Sequence, residues 1–133
     1  MTDVVTDTHG LIWYLTDSPH LGASAAARFD ACDRGEISVY VPTICVVEIT
    51  YLQEKGRIRT DLKTQLDAEL LAGHGGLVLF ALTPGVADTV RYVPRSQVPD
   101  MPDRIIAATA LHLGLPLLSR DQAIQSSGVR TIW

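Results

Sequence analysis

The chain is poor in lysine, in closely spaced cysteines and in long apolar runs, and each shortage excludes something. Lys55 and Lys63 are its only lysines, and 15 acids outweigh 11 basic residues to give a formal net charge of -4. That balance excludes a simple basic nucleic-acid-binding module. It still allows a metal-dependent enzyme whose acids gather in one pocket and are offset by cations. The two cysteines, Cys32 and Cys45, lack C-x-x-C spacing and lie in apolar surroundings, so they read as buried reduced thiols. No run of about 18 apolar residues occurs, nor a charged segment leading into an apolar one, so the expectation is a cytoplasmic protein with no membrane partner. Repeats, low-complexity tracts and long linkers are absent as well, and one domain over residues 1–133 is expected.

What is present is alternation of strand and helix. Val4-Val5-Thr6 reads as a short buried strand, and the pattern changes to helical spacing at Leu11, Ile12 and Leu15. Ala23–Ala31 reads as an alanine-rich helix closed by Gly35, and Ile37–Val41 as a second strand stopped at Pro42. Helices are expected over Thr43–Lys55, ending at Gly56, and over Asp61–Ala72, with Gly73 as its stop. Leu77–Leu82 is the third strand. A short helix over Pro84–Arg91 precedes a proline-containing loop over Val93–Met101. Pro102–Leu113 is the next helix, closed by Gly114. Leu115–Ser119 is the fourth strand, a short helix spans Asp121–Gly128, and Arg130–Trp133 is the fifth strand. Strands separated by helices predict an α/β fold with a parallel sheet, because parallel neighbours need crossover connections.

Four acids stand out against this frame. Asp7 sits where the first strand becomes a helix, so it is either a helix cap or the first member of a site at the ligand-binding edge of a parallel sheet. Glu48 has Ile44, Cys45, Tyr51 and Leu52 as its helical neighbours, so it interrupts an apolar stripe. A carboxylate buried there must be protonated, paired with a cation in a structural salt bridge, or bound to metal. Asp103 lies in the first turn of a helix that Asp100 can cap. Asp121 follows the fourth strand as Asp7 follows the first, and Ser119 with Gln122 has the spacing of a capping box. Singly, Asp7, Asp103 and Asp121 have structural explanations. Jointly, four acids that can face one sheet edge would repel one another, and one or two hard cations remove that penalty. An oxygen-only donor set favours Mg²⁺ or Mn²⁺ over Zn²⁺. Such ions polarise phosphoryl oxygens and activate water, which is the chemistry of phosphodiester hydrolysis.

With these residues in view, the sequence resembles the PIN-domain ribonucleases, in particular the VapC-type toxins of toxin–antitoxin pairs. The resemblance rests on VVTDTHGLIWYL, TICVVEITYLQEKGRI, PDRIIAATALHLGLPLLSRDQAI and the closing TIW, which together span the chain. It implies a three-layer α/β/α sandwich around a central parallel sheet of about five strands. It also implies Asp7, Glu48, Asp103 and Asp121 as catalytic metal-binding acids, and Ser119 as a hydroxyl orienting a ligand or water beside the last acid. Dependence on Mg²⁺ or Mn²⁺, an RNA substrate, a cognate antitoxin and a homodimer are implied by the same resemblance. One departure is visible: Gln97-Val98-Pro99-Asp100-Met101-Pro102-Asp103 lacks the basic pair and the Asp-Pro-x-Asp order common before the third acid.

Other polar and aromatic residues read more plainly. Lys55, Arg57 and Arg59 form a solvated helix end that can also meet phosphates, and Arg104 and Arg120 adjoin site acids as ion-pair partners. His9 lies close to the site without a catalytic part. Trp13, Tyr14 and Tyr51 read as core or interface rather than base-stacking platforms. Two rival functions remain. A phosphotransfer or phosphatase domain would want a lysine on a late strand, which this chain lacks. A non-catalytic binding module on the same fold would have no use for four intact acids.

Overall fold

The computed structural model describes residues 1–72 and 76–133. Five strands, β1 (Val4–Thr6), β2 (Val39–Pro42), β3 (Leu77–Phe80), β4 (Leu117–Leu118) and β5 (Thr131–Ile132), form one sheet in the order β3-β2-β1-β4-β5. Every pairing is parallel. The connecting helices are α1 (Thr8–Leu15), α2 (Ala23–Asp33), α3 (Thr43–Glu54), α4 (Leu62–Ala72), α5 (Pro84–Thr89), α6 (Met101–Leu113) and α7 (Gln122–Ser126). With right-handed crossovers, the outward steps from β1 to β3 and the return steps to β4 and β5 put helices on opposite faces, which is the expected three-layer α/β/α arrangement. Val4, Val5, Val39, Val41, Leu117 and Leu118 are fully buried between those layers. Such continuous apolar runs are what a sheet covered on both faces requires.

All the expected elements form, and the differences lie at their ends. β2 starts two residues later than its β-branched pattern suggests and includes Pro42, which pairs in register with Phe80. Proline is tolerated there because this last strand position also precedes α3, where a donor is not needed. β4 is only Leu117–Leu118, although its ladder is extended by Val5 N–H donating to Pro116 O at 2.9 Å. Met101, placed in the loop by sequence, is the first residue of α6, because Asp100 is the cap. α5 gives way to a 3-10 turn at Val90–Tyr92. Gly73, the expected stop of α4, lies outside the described residues. Cys32 and Cys45 are free and buried, and burial pushes the Cys45 thiol pKa upward, as expected of inert thiols.

Strand order places the site. The chain leaves β1 toward β2 on one side and later returns to β4 on the other. The reversal opens a crevice at the carboxyl ends of β1 and β4, the usual ligand position in open α/β sheets. Among the described residues no helix is long and apolar enough to cross a membrane.

Candidate active site

Asp7 is the first residue after β1 and caps α1: its Oδ1 accepts from Gly10 N–H at 2.7 Å, while its own N–H donates to Leu118 O of β4 at 3.1 Å. The cap reading and the site reading of Asp7 are therefore compatible. A Cβ at position 10 would lie 2.9 Å from Thr6 Oγ1 and 3.0 Å from Asp7 Oδ1, so glycine there permits the close approach. Burial raises the Asp7 pKa; Gly10 N–H, the Ser119 hydroxyl and His9 act against that, and the Asp121 carboxylate adds to it.

Glu48 projects from α3 and accepts a short hydrogen bond from the Thr8 hydroxyl. Its apolar stripe is less uniform than the sequence suggests: Cys45 and Ile49 are fully buried, but Tyr51 is 62% exposed. The salt-bridge alternative is not realised, since the ion pairs among the described residues involve Glu36, Asp61, Asp67 and Asp88 instead. Partial burial raises the Glu48 pKa, Thr8 lowers it, and the Asp100 and Asp7 carboxylates push it up again.

Asp100 caps α6 through Oδ2, which accepts from Asp103 N–H at 3.1 Å, so Asp103 occupies the first turn as expected. Burial, then the neighbouring Asp100, Asp121 and Glu48 carboxylates, push the Asp103 pKa up to about 7. A carboxyl whose neighbours are other acids keeps its proton close to neutrality.

The fourth acid corrects one expectation. The cap of α7 is Asp121, whose Oδ1 accepts from Ile124 N–H at 3.1 Å, so Ser119 and Gln122 form no capping box. Ser119 is still in the extended chain, donating its N–H to Ile132 O of β5, and its hydroxyl accepts from Asp121 N–H at 3.1 Å. Ser119 is buried between Asp7 and Asp121 and touches both environments.

Asp7, Thr8, Glu48, Asp103 and Asp121 line one cavity of about 330 Å³ together with His9, Trp13, Arg120 and Trp133, whereas Ser119 is fully buried and not part of its lining. The four acids thus line a common space, but they are not drawn tightly together. Among the described residues no three His, Cys, Asp or Glu side chains are already arranged to hold a metal ion. The donor set nevertheless suits a hard cation: carboxylate oxygens, no sulfur, and, among the described residues, no arginine or lysine pairing with any of the four.

Arg104 and Arg120 fall differently from expectation, whereas Lys55, Arg57 and Arg59 form the solvated helix end that was expected. Arg104 donates to the Val93 and Val90 carbonyls at 3.1 and 3.0 Å, tying the preceding loop to α6. Arg120 stacks on Trp13, its Cζ 4.5 Å from the ring centroid. Neither pairs with a site acid. Lys55, Arg57 and Arg59 are exposed, away from the cavity lining, and Arg59 pairs with Asp61 at 3.2 Å. Trp13 is not simply core, because it lines the cavity. Its spacing of four from His9 on α1, with ring centroids 5.4 Å apart, was the signal that both share that helix face. Thr8, the partner of Glu48, carries no signal in sequence beyond its place beside Asp7.

Comparison with known proteins agrees with this fold. The chain matches the family described as PIN domain over residues 4–127. It is 30% identical over 126 residues to Ribonuclease VapC22 of Mycobacterium tuberculosis, covering 95% of this chain and 92% of that protein. In fold it resembles a chain of the crystal structure of VapBC2 from Rickettsia felis bound to a promoter DNA fragment, with a TM-score of 0.72, 12% identity, and 98% of this chain and 97% of that one covered. DNA-bound VapBC from Salmonella typhimurium gives a TM-score of 0.67 at 17% identity, covering 99% and 98%. A family match that begins with β1 and runs through α7, joined to a curated relative covered nearly end to end, makes this chain a member of the PIN-domain family.

Proposed function

We infer that the chain is an endoribonuclease that hydrolyses RNA phosphodiester bonds with the help of Mg²⁺ or Mn²⁺, and that it is the toxin of a toxin–antitoxin pair. The observation that carries this reading is the set of four carboxylates, none in an ion pair among the described residues, that line one cavity at the β1/β4 crevice. Its support among known proteins is the relationship to a ribonuclease and the likeness in fold to members of VapBC complexes.

Asp7, Glu48, Asp103 and Asp121 would hold the cation. When bound, such an ion supplies electrostatic stabilisation to a phosphoryl group and acidifies water. The chain's own residues do the rest. Gly10 N–H fixes one oxygen of Asp7. Thr8 orients Glu48 by donating to one of its oxygens. A carboxylate of the four left free of the cation would assist proton transfer from the attacking water. Ser119, whose hydroxyl accepts from Asp121 N–H and acts on Asp7, would steady the first and fourth acids.

Exposed apolar side chains on α3 (Val47, Tyr51) and on edge strand β3 (Val78, Leu79) offer surfaces for an antitoxin and for a second copy of the chain. Residues 1–133 act as one domain in the cytoplasm in this reading. The test is a Mn²⁺ titration followed by thermal melting, together with an RNA-cleavage assay. At about a hundredfold excess over Kd, a ligand adds about 2.7 kcal/mol, which raises the melting temperature by several degrees in the parent and by much less in Asp7→Asn. RNA cut by the parent and left intact by that variant supports the reading; equal melting shifts and equal cleavage in both would remove it.

A further inference from the structure

Arg120 is the one cation among the described residues that both lines the acid cavity and has its guanidinium on an aromatic face. An exposed arginine beside four acids is expected to pair with one of them, and the sequence puts Asp121 next to it. Instead, Asp121 is committed to capping α7 through Ile124 N–H, and Arg120 takes part in no ion pair among the described residues. Its guanidinium lies on Trp13. Trp13 in turn is braced edge-on by Trp133, with centroids 5.6 Å apart and planes at 67°. Trp133 sits on the backbone of Gly22, where a Cβ would come within 2.5 Å of the indole. His20 and His9 flank Trp13 at 5.5 and 5.4 Å. The outcome is a positive group held in a fixed place by stacking, with its N–H donors uncommitted to carboxylates.

We propose that Arg120, stacked on Trp13 and backed by Trp133, is a preset clamp for a backbone phosphate of the RNA strand entering the cavity. This rests on the ribonuclease reading above. The electrostatics favour it: a polyanion approaching four carboxylates needs a fixed cation at the mouth, and whole-chain charge supplies none. Arginine is the suitable residue, since its planar fork both stacks on an aromatic ring and grips phosphate bidentately, whereas lysine offers only a point charge. Trp13 is here a positioning residue that keeps the guanidinium aimed and limits the ordering needed on binding.

The experiment measures binding of a fluorescein-labelled single-stranded RNA octanucleotide by anisotropy, in the non-cleaving Asp7→Asn background, from about 50 to 200 mM KCl. Adding Arg120→Ala should weaken binding roughly tenfold and flatten the salt dependence by about 0.7 in log–log slope, the contribution of one phosphate contact on a single strand. Arg120→Lys should keep the salt slope and still lose affinity, because the charge stays while the stack and fork go. Trp13→Leu should resemble Arg120→Lys, and combining it with Arg120→Ala should bind no more weakly than Arg120→Ala alone. If Trp13→Leu does not fold, the Ala and Lys substitutions at position 120 decide the matter by themselves. An Arg120→Ala variant with unchanged affinity and slope overturns the clamp while leaving the ribonuclease reading intact, and then Arg120 serves a partner other than RNA. Failure of the Asp7→Asn protein to bind the RNA at all overturns the clamp, while cleavage by the parent protein decides the ribonuclease reading separately.

Discussion

Gly10 shows how much of this site depends on single atoms. Its N–H holds Asp7 Oδ1 at 2.7 Å, and its missing side chain leaves room for that oxygen and for Thr6 Oγ1. Gly10→Ala forces a Cβ to within 3.0 Å of both oxygens, so either Asp7 rotates or the first turn of α1 moves. The expected cost is about 1–3 kcal/mol in thermal or urea unfolding. RNA cleavage should fall further than stability does, because the first acid is displaced. Retention of full cleavage would show that the position of Asp7 is not critical. In sequence, Gly10 looks like an ordinary small residue about one turn before Trp13; the crowding that requires it exists only once β1 and α1 are folded together.

Elements carry the next level of control, and α6 is the clearest case. Asp100 both caps the helix and raises the pKa of Asp103. Those two effects separate by substitution. Asp100→Asn keeps a good cap and removes a charge, so helix stability should be preserved and the Asp103 midpoint should drop below about 7. Asp100→Ala removes the cap as well and should cost about 1 kcal/mol. Carbon-detected NMR titration of the Asp103 carboxyl, paired with unfolding curves, distinguishes the outcomes; a midpoint that stays put in Asp100→Asn would mean that burial and the Asp121 and Glu48 carboxylates set it without Asp100. The helix itself was legible in sequence through its apolar periodicity and Gly114 stop. Its start in sequence falls one residue late, at Pro102, because a proline fits the first helical turn at either of its first two positions and the cap at Asp100 fixes which.

For the whole molecule, the shared cavity makes stability depend on pH. The unfolded Asp103 titrates near 3.8 and the folded one near 7. Between those values the folded state holds a proton that the unfolded chain has lost, so stability is greatest on the acid side and declines as pH rises through that window. Asp7 and Glu48 are shifted in the same direction and add to the trend. Metal-free protein should therefore melt at a lower temperature near pH 8 than near pH 5, and Mn²⁺ should recover most of the loss at the higher pH by occupying the place of the proton. Scanning calorimetry in chelator and in Mn²⁺ checks both arms. A flat profile in chelator would sink the view that the four acids feel one another.

The sequence by itself determined the alternation of strands and helices, the places where three of the acids meet strand ends or helix starts, and the anomaly of Glu48. Those features are written in local periodicities of two and 3.6 residues and in cap and turn chemistry, which need no distant partner. Only the tertiary structure decided that β1 lies between β2 and β4, and that one adjacency assembles the site. It brings Asp7 beside Ser119 and Asp121, it lets Thr8 reach Glu48 across 40 residues of chain, and it lays Arg120 on Trp13 instead of on an acid. The physical reason is that side chains far apart in sequence meet according to strand order and crossover path, and neither is encoded in the spacing of residues along a single element.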